Sequence, residues 1–157
     1  MPTLDRAIEL AARAHAGQKD KQGGPYILHP LRVMLRVEGE PARIVAVLHD
    51  TVEDTALTEE DLRREGFGED VLAALRLVTH DRRESYADYV VRCAGDPVAR
   101  QVKLADLEDN SRLDRALVRP GRLEGDLKRI HRYQLSYKFL TGGLTEEEYR
   151  QAMAAYG

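Results

Sequence analysis

The chain has 157 residues, 43% hydrophobic and 32% charged, a length and balance that allow one substantial core and exclude a disordered segment as the main product. Its formal net charge of -3 exerts no overall pull toward nucleic acid or an anionic membrane. One cysteine, Cys93, excludes an internal disulfide; with no signal-peptide pattern in Met1-Pro2-Thr3-Leu4-Asp5 and no apolar run near the ~20 residues of a membrane span, a cytoplasmic location is expected.

Helix start signals then recur along the chain. Thr3 precedes a stripe of Leu4, Ile8, Ala11 and Ala12 that ends near Gly17. The polar, glycine-rich stretch 18–25 reads as a loop. His29-Pro30 opens a second helix through Val37, and Pro41 a third whose core, Ile44-Val45-Ala46-Val47-Leu48, is apolar on every face and so expected to be buried. Thr58 with Asp61 resembles a capping box for a short helix ending at Gly66, followed by an amphipathic helix over 68–78. Ser85 begins the next and Gly95 ends it. Asp96-Pro97 opens a helix to about 113; after Pro120-Gly121 a long helix runs from about 123 to 140, and Thr145 with Glu148 caps the last. No segment alternates as a strand does, so the fold expected is all-α.

The third helix is the most apolar segment, yet it runs into His49-Asp50 and then Glu53-Asp54. Carboxylates at the end of a buried helix are costly unless paired or coordinated to a metal. His49 and Glu53 are four residues apart, as are Asp50 and Asp54, which predicts two adjacent polar columns. On the helix from Pro97, the residues Ala99, Val102, Asp106, Asn110 and Leu113 share one face, so Asp106 and Asn110 interrupt an apolar stripe. His29 stands at a loop-to-helix junction. Two imidazoles and two carboxylates make a mixed nitrogen and oxygen set suited to Mn, Fe or Zn. Such an ion lowers the pKa of bound water toward ~7 and neutralises charge on a phosphoryl oxygen. By contrast, His80-Asp81 beside Arg82 and Arg83 reads as a solvated loop, and His15 as a hydrogen-bonded core histidine.

The order His29, His49-Asp50, Asp106 is similar to the HD metal-dependent phosphohydrolase superfamily. His15-Ala16-Gly17-Gln18, Pro25-Tyr26-Ile27-Leu28-His29-Pro30, Leu48-His49-Asp50-Thr51-Val52-Glu53-Asp54-Thr55 and Val102-Lys103-Leu104-Ala105-Asp106 with Asn110 resemble more closely the hydrolase domain of RelA/SpoT proteins. They also resemble the stand-alone small alarmone hydrolases, the metazoan SpoT homologue among them. The resemblance implies an HD-type bundle of about eight to nine helices as one domain over 1–157, with a family-like core over about 4–113 and C-terminal helices over about 123–156.

It further implies hydrolysis of the 3′-pyrophosphate of an alarmone such as ppGpp, with no synthesis. Mn is the metal implied, held by His29, His49, Asp50 and Asp106, with Fe or Zn as alternatives. Glu53 and Asp54 would handle the water and the proton transfer, and Asn110 the ribose and 3′ phosphates. Lys21 is kept from the family's basic loop and is a candidate phosphate contact, as is Arg82. The family arginine that lies against the base falls at Asp20, which cannot stack as a cation and leaves adenine (ppApp) as well as guanine open.

Residues 112–132 hold seven basic side chains, Arg112, Arg115, Arg119, Arg122, Lys128, Arg129 and Arg132, against three acids; they read as a solvated face, or alternatively as a rim attracting an anionic nucleotide. Two other functions fit the same residues: a general HD phosphatase acting on nucleotides or NADPH, and a nucleotide-binding module without turnover. The partner expected is a small nucleotide, with neither nucleic acid nor membrane; nothing in the sequence speaks to oligomeric state.

Overall fold

Thr3 accepts a hydrogen bond from Arg6 N and opens α1 (Leu4–Ala14) in the computed structural model, which describes residues 2–116 and 118–156. α2 (Leu28–Leu35) follows the polar loop, and α3 (Glu40–Leu48) starts with Pro41 in its first turn. A single turn, α4 (Thr51–Asp54), leads to α5 (Glu59–Arg64), where Thr58 and Asp61 complete the reciprocal capping box. α6 (Glu69–Val78) and α7 (Tyr86–Ala94) come next, the latter capped by Ser85. Asp96 accepts from Ala99 N at 2.8 Å to start α8 (Pro97–Asn110). A 3-10 turn over Pro120–Arg122 enters α9 (Leu123–Leu140), and a second capping box, Thr145 with Glu148, begins α10 (Glu146–Met153).

α9 ends because Gly142 takes φ 81°, a left-handed conformation that lets Gly143 N return to Lys138 O at 2.7 Å. No strand forms among the described residues, and the lone bridge between Lys19 and Pro25 only closes the loop before α2. The all-α expectation therefore holds, with α4 as a single turn beyond the full helices.

The packing explains why α3 is apolar on every side. It lies against α1, α2, α6 and α8 at once, and Ile44, Val45, Ala46, Val47 and Leu48 are all buried. Each of the four larger side chains contributes on the order of 1.5–3 kcal/mol relative to exposure, and the Ala46 methyl less. α9 packs on α7 and α8, and α10 on α7 and α9, so the C-terminal helices close one side of the bundle. No helix among the described residues is long and apolar enough to cross a membrane.

Two expectations change. α3 does not run on through the acidic pair: it stops at Leu48, His49 and Asp50 form a turn, and Thr51 Oγ1 donates to Leu48 O at 2.7 Å as α4 starts. The break separates the buried His49 from Glu53 and Asp54, which stand partly open to solvent in place of extending the columns of His49 and Asp50. α8 stops at Asn110 rather than near residue 113, and Leu113 is 98% exposed instead of completing the apolar face. The cause lies in Asp109, which is fully buried: the chain turns after Ser111, Arg115 N bonds to Arg112 O, and the Arg115 guanidinium folds back onto that carboxylate.

Candidate metal centre

Three elements deliver the central side chains. His29 comes from the first turn of α2, His49 and Asp50 from the break after α3, and Asp106 from the middle of α8. His29 Nε2 lies 3.2 Å from Asp106 Oδ1 and 3.6 Å from Asp50 Oδ2. His49 Nε2 repeats this in mirror order, 3.2 Å from Asp50 Oδ2 and 3.6 Å from Asp106 Oδ1. Two ring nitrogens and two carboxylate oxygens thus converge on one point, and both histidines and Asp106 are buried.

Hydrogen bonds behind the rings aim them. His49 Nδ1 pairs with Ala46 O at 2.6 Å, which makes Nδ1 the donor and leaves the Nε2 lone pair facing the carboxylates. That Nε2 is buried and has no hydrogen-bond partner, an arrangement that costs free energy unless a cation completes it. Asp50 Oδ2 accepts from Tyr26 Oη at 2.5 Å, while Asp106 accepts from Lys103 Nζ and from Asn110 Nδ2, each at 2.8 Å. Burial acts to raise Asp50, but the adjacent His49 brings it down to about 2. Burial likewise opposes charge on Asp106, and Lys103 with the two imidazoles holds it well below the usual carboxylate range. Both imidazoles are pushed upward against the effect of burial, His29 by Asp106 and Asp109 and His49 by Asp50 and Asp106. The donor set fits a divalent ion: His29, His49 and Asp50 alone form a cluster able to hold one, and Asp106 adds a fourth oxygen.

A cavity of about 640 Å³ opens over this point. Glu53 and Asp54 stand in its lining. Glu53 Oε2 accepts from His80 N at 3.2 Å; burial raises its pKa, partly offset by that amide. Burial and Asp50 raise Asp54, with His15, His49 and Arg82 pulling the other way. Lys21 and Asn110 also line the cavity. Lys21 is pushed down by partial burial and by Arg129 and Arg119, so the wall it shares with Arg129 is cationic.

The structure places other expected residues differently. Arg82 is exposed and is not part of the cavity wall, although its charge reaches Asp54. Asp20 lines the cavity but is also a turn former: its Oδ1 accepts from Gln22 N and Gly24 N, both at 2.9 Å. His15 is the buried, hydrogen-bonded histidine expected, paired through Nδ1 with Gln18 Oε1 at 2.8 Å. The basic stretch is mixed: Arg112 pairs with Asp114, Arg119 and Arg129 with the buried Asp126, and Lys128 with Glu124, while Arg115 and Arg129 also border the cavity.

Asp81, Arg82 and Arg83 are exposed as the solvated-loop reading expects, but His80 is half-buried. Its ring stacks on Tyr89 at 4.8 Å and meets Tyr86 edge-on, and it lines the cavity. Three more participants went unread. Tyr26 reaches Asp50 across 24 positions, which no local pattern reports. Lys103 sits buried over the rings of Tyr86 and Tyr89; a lysine inside the apolar stripe of α8, three residues before Asp106, was the available signal. Asp109, three residues after Asp106, was legible in the same way.

Comparison with known proteins accords with this geometry. Residues 7–106 match the HD domain family. The chain is 41% identical over 129 residues to a GTP pyrophosphokinase of Streptomyces coelicolor, covering 74% of this chain and 15% of that protein. It is 38% identical over 119 residues to a guanosine-3′,5′-bis(diphosphate) 3′-pyrophosphohydrolase of Aquifex aeolicus, covering 68% of this chain and 17% of that one. The Danio rerio protein of the same activity name, MESH1, is 38% identical over 118 residues, 66% of this chain and 64% of its own length. The chain therefore spans under a fifth of the two bacterial relatives and just under two thirds of the zebrafish one. A solved structure described as a metazoan orthologue of SpoT that hydrolyses ppGpp superposes with a TM-score of 0.73 at 25% identity, over 100% of this chain and 98% of that one. With the histidines and aspartates converging as they do and the match running from α1 into α8, the chain belongs to the HD domain family.

Proposed function

We propose that this protein is a metal-dependent pyrophosphohydrolase that removes the 3′-pyrophosphate from an alarmone nucleotide of the ppGpp or ppApp type. The observation that carries the reading is the convergence of His29, His49, Asp50 and Asp106, with Glu53 and Asp54 beside it in one cationic-walled cavity. The relatives named for this same reaction support the choice of substrate.

His29, His49, Asp50 and Asp106 would hold the ion, for which Mn is the choice. When bound, the ion supplies Lewis-acid charge for the phosphoryl oxygens and activation of the attacking water. The chain's own groups do the rest. Lys21 and Asn110 bind and orient the phosphates at the cavity wall. Glu53, held by the His80 amide, takes the proton from the water. The water oxygen bonds to the phosphorus attached to the ribose 3′ oxygen as the bond between that phosphorus and that oxygen breaks. Asp54, raised by partial burial and Asp50, returns a proton to the 3′ oxygen. The products are a nucleoside 5′-diphosphate and pyrophosphate.

Incubating the Mn-loaded protein with ppGpp, ppApp and NADPH, and separating products by ion exchange, tests the assignment. Pyrophosphate from an alarmone is expected. Orthophosphate as the phosphorus product would point to a general phosphatase, and binding without turnover to a nucleotide sensor.

A further inference from the structure

His29 lies lengthwise between two carboxylates from one helix. Asp106 and Asp109 are three residues apart on α8, so one turn presents an acid to each ring nitrogen: Asp106 Oδ1 stands 3.2 Å from Nε2, and Asp109 Oδ2 2.7 Å from Nδ1. Only the first faces the cavity. Asp109 is 0% exposed and has no place in the substrate cavity or the proposed reaction.

Its other contacts say what it is built for. Arg32 Nε donates to Oδ1 at 2.8 Å and Arg32 Nη2 to Oδ2 at 3.2 Å, and Arg115 Nη1 also donates to Oδ2. A buried carboxylate without partners would be strongly destabilising, and two hydrogen-bonded guanidinium groups compensate this one, with Arg112 Nη1 a third at 3.9 Å from Oδ1. They also draw on the lone pairs that would otherwise capture the imidazole proton. Asp109 is thereby left as an acceptor of the Nδ1 proton rather than its owner, which leaves Nε2 as the free donor atom. His49 is aimed by a neutral backbone carbonyl instead, so the two rings of the centre are oriented by different chemistry.

We infer that Asp109, clamped by Arg32 and Arg115, is a positioning residue that fixes the tautomer and direction of His29 and so sets the affinity of the centre for its divalent ion. The inference rests on the reading that an ion is held at His29, His49, Asp50 and Asp106. Carboxylates behind a ligating histidine typically govern metal affinity by about 10- to 100-fold. Arg32 acts on the ion only through Asp109, whereas Arg115 Nη1 also lies 3.4 Å from His29 Nδ1, beside the carboxylate that accepts from both. Arg115 additionally ties the arrangement to the cavity, because its carbonyl accepts from Gln22 Nε2 in the loop that carries Lys21.

Mn affinity of the full chain, measured by isothermal titration for wild type, Asp109→Asn and Arg32→Met beside their metal-free melting curves, separates this role from a structural one. Asp109→Asn is expected to weaken Mn binding by about 10- to 100-fold. Arg32→Met removes an ion pair but leaves the carboxylate on His29; it is expected to lower the melting temperature while holding Mn within about threefold of wild type. Wild-type Mn affinity in a folded Asp109→Asn protein overturns the inference. Failure of the wild type itself to take up Mn overturns instead the reading beneath it. Should Asp109→Asn not fold, nitrogen-15 NMR of the Zn-loaded wild type decides: a His29 proton on Nδ1 is expected, and a proton on Nε2 contradicts the role.

Discussion

Lys103 Nζ donates to Asp106 Oδ2 at 2.8 Å with both side chains buried, so the proposed metal centre carries a fixed cation of its own. Its ammonium also lies 4.8 Å from the centre of the Tyr89 ring and 5.4 Å from that of Tyr86. Removing one member of a buried pair costs about 3–5 kcal/mol because the other is left uncompensated. Lys103→Met should therefore lower the metal-free melting temperature sharply. Saturating Mn should restore part of the loss, since a ligand that binds only the folded state stabilises it. A melt equal to wild type would mean that the pair contributes no net stability.

The acidic pair yields a different signature. Glu53→Gln should keep the fold and the metal content while kcat falls by roughly 10²- to 10⁴-fold, the usual size of a general acid–base contribution. Burial raises the Glu53 carboxyl above its ordinary 4.5, with the His80 amide opposing and Asp50 and Asp54 adding to the rise. A group that accepts a proton works only when ionised. The wild-type rate should consequently fall as pH drops through a value above 4.5, and that limb should be missing in the glutamine variant. Loss of metal from Glu53→Gln would make Glu53 a ligand instead.

How far the sequence reports the structure depends on the range of the contact. Caps act within one turn, so Thr58 with Asp61, Asp96 and Thr145 with Glu148 each open the helix expected of them. The apolar all-round run of α3 reports burial because the helix is covered on all sides. His29, His49, Asp50 and Asp106 stand out as polar residues in apolar surroundings, and they converge. What escapes is set by distant partners. The reversal after Asn110 depends on Arg115 reaching the buried Asp109, and His80 is half-covered because Tyr86 and Tyr89 of α7 offer it a wall. Tyr26 on Asp50 is legible only once the helices are assembled.

Cys93 gives a probe of the core independent of catalysis. It is buried, its Sγ donates to Leu77 O at 3.1 Å, and burial pushes the thiol up to about 11. The thiolate is the reactive form, so at pH 8 iodoacetamide should leave the native protein unmodified and label it after denaturation. Rapid labelling of the native protein would show that the packing of α6 on α7 opens readily.

Base selection is expected to depend on the charge of Asp20. One carboxylate oxygen is committed to the amides of Gln22 and Gly24, and the residue lines the cavity. An anion there favours the N6 amine of adenine and disfavours guanine O6. The ratio of kcat/KM for ppApp over ppGpp should be at least about one in wild type and fall in Asp20→Asn, which keeps the turn acceptor and removes the charge. A strong preference for ppGpp, unchanged by the substitution, would assign Asp20 to the turn alone.

The central claim is that one divalent ion at His29, His49, Asp50 and Asp106 carries the hydrolysis, and metal content measured together with turnover tests it most directly. Chelated protein should release no pyrophosphate from ppGpp or ppApp, and Mn titrated back should restore turnover in proportion to uptake, saturating at about one ion per chain. His49→Ala and Asp106→Ala should take up no ion and show no turnover. Full activity in metal-free buffer after chelation, or undiminished turnover in either alanine variant, would contradict the account.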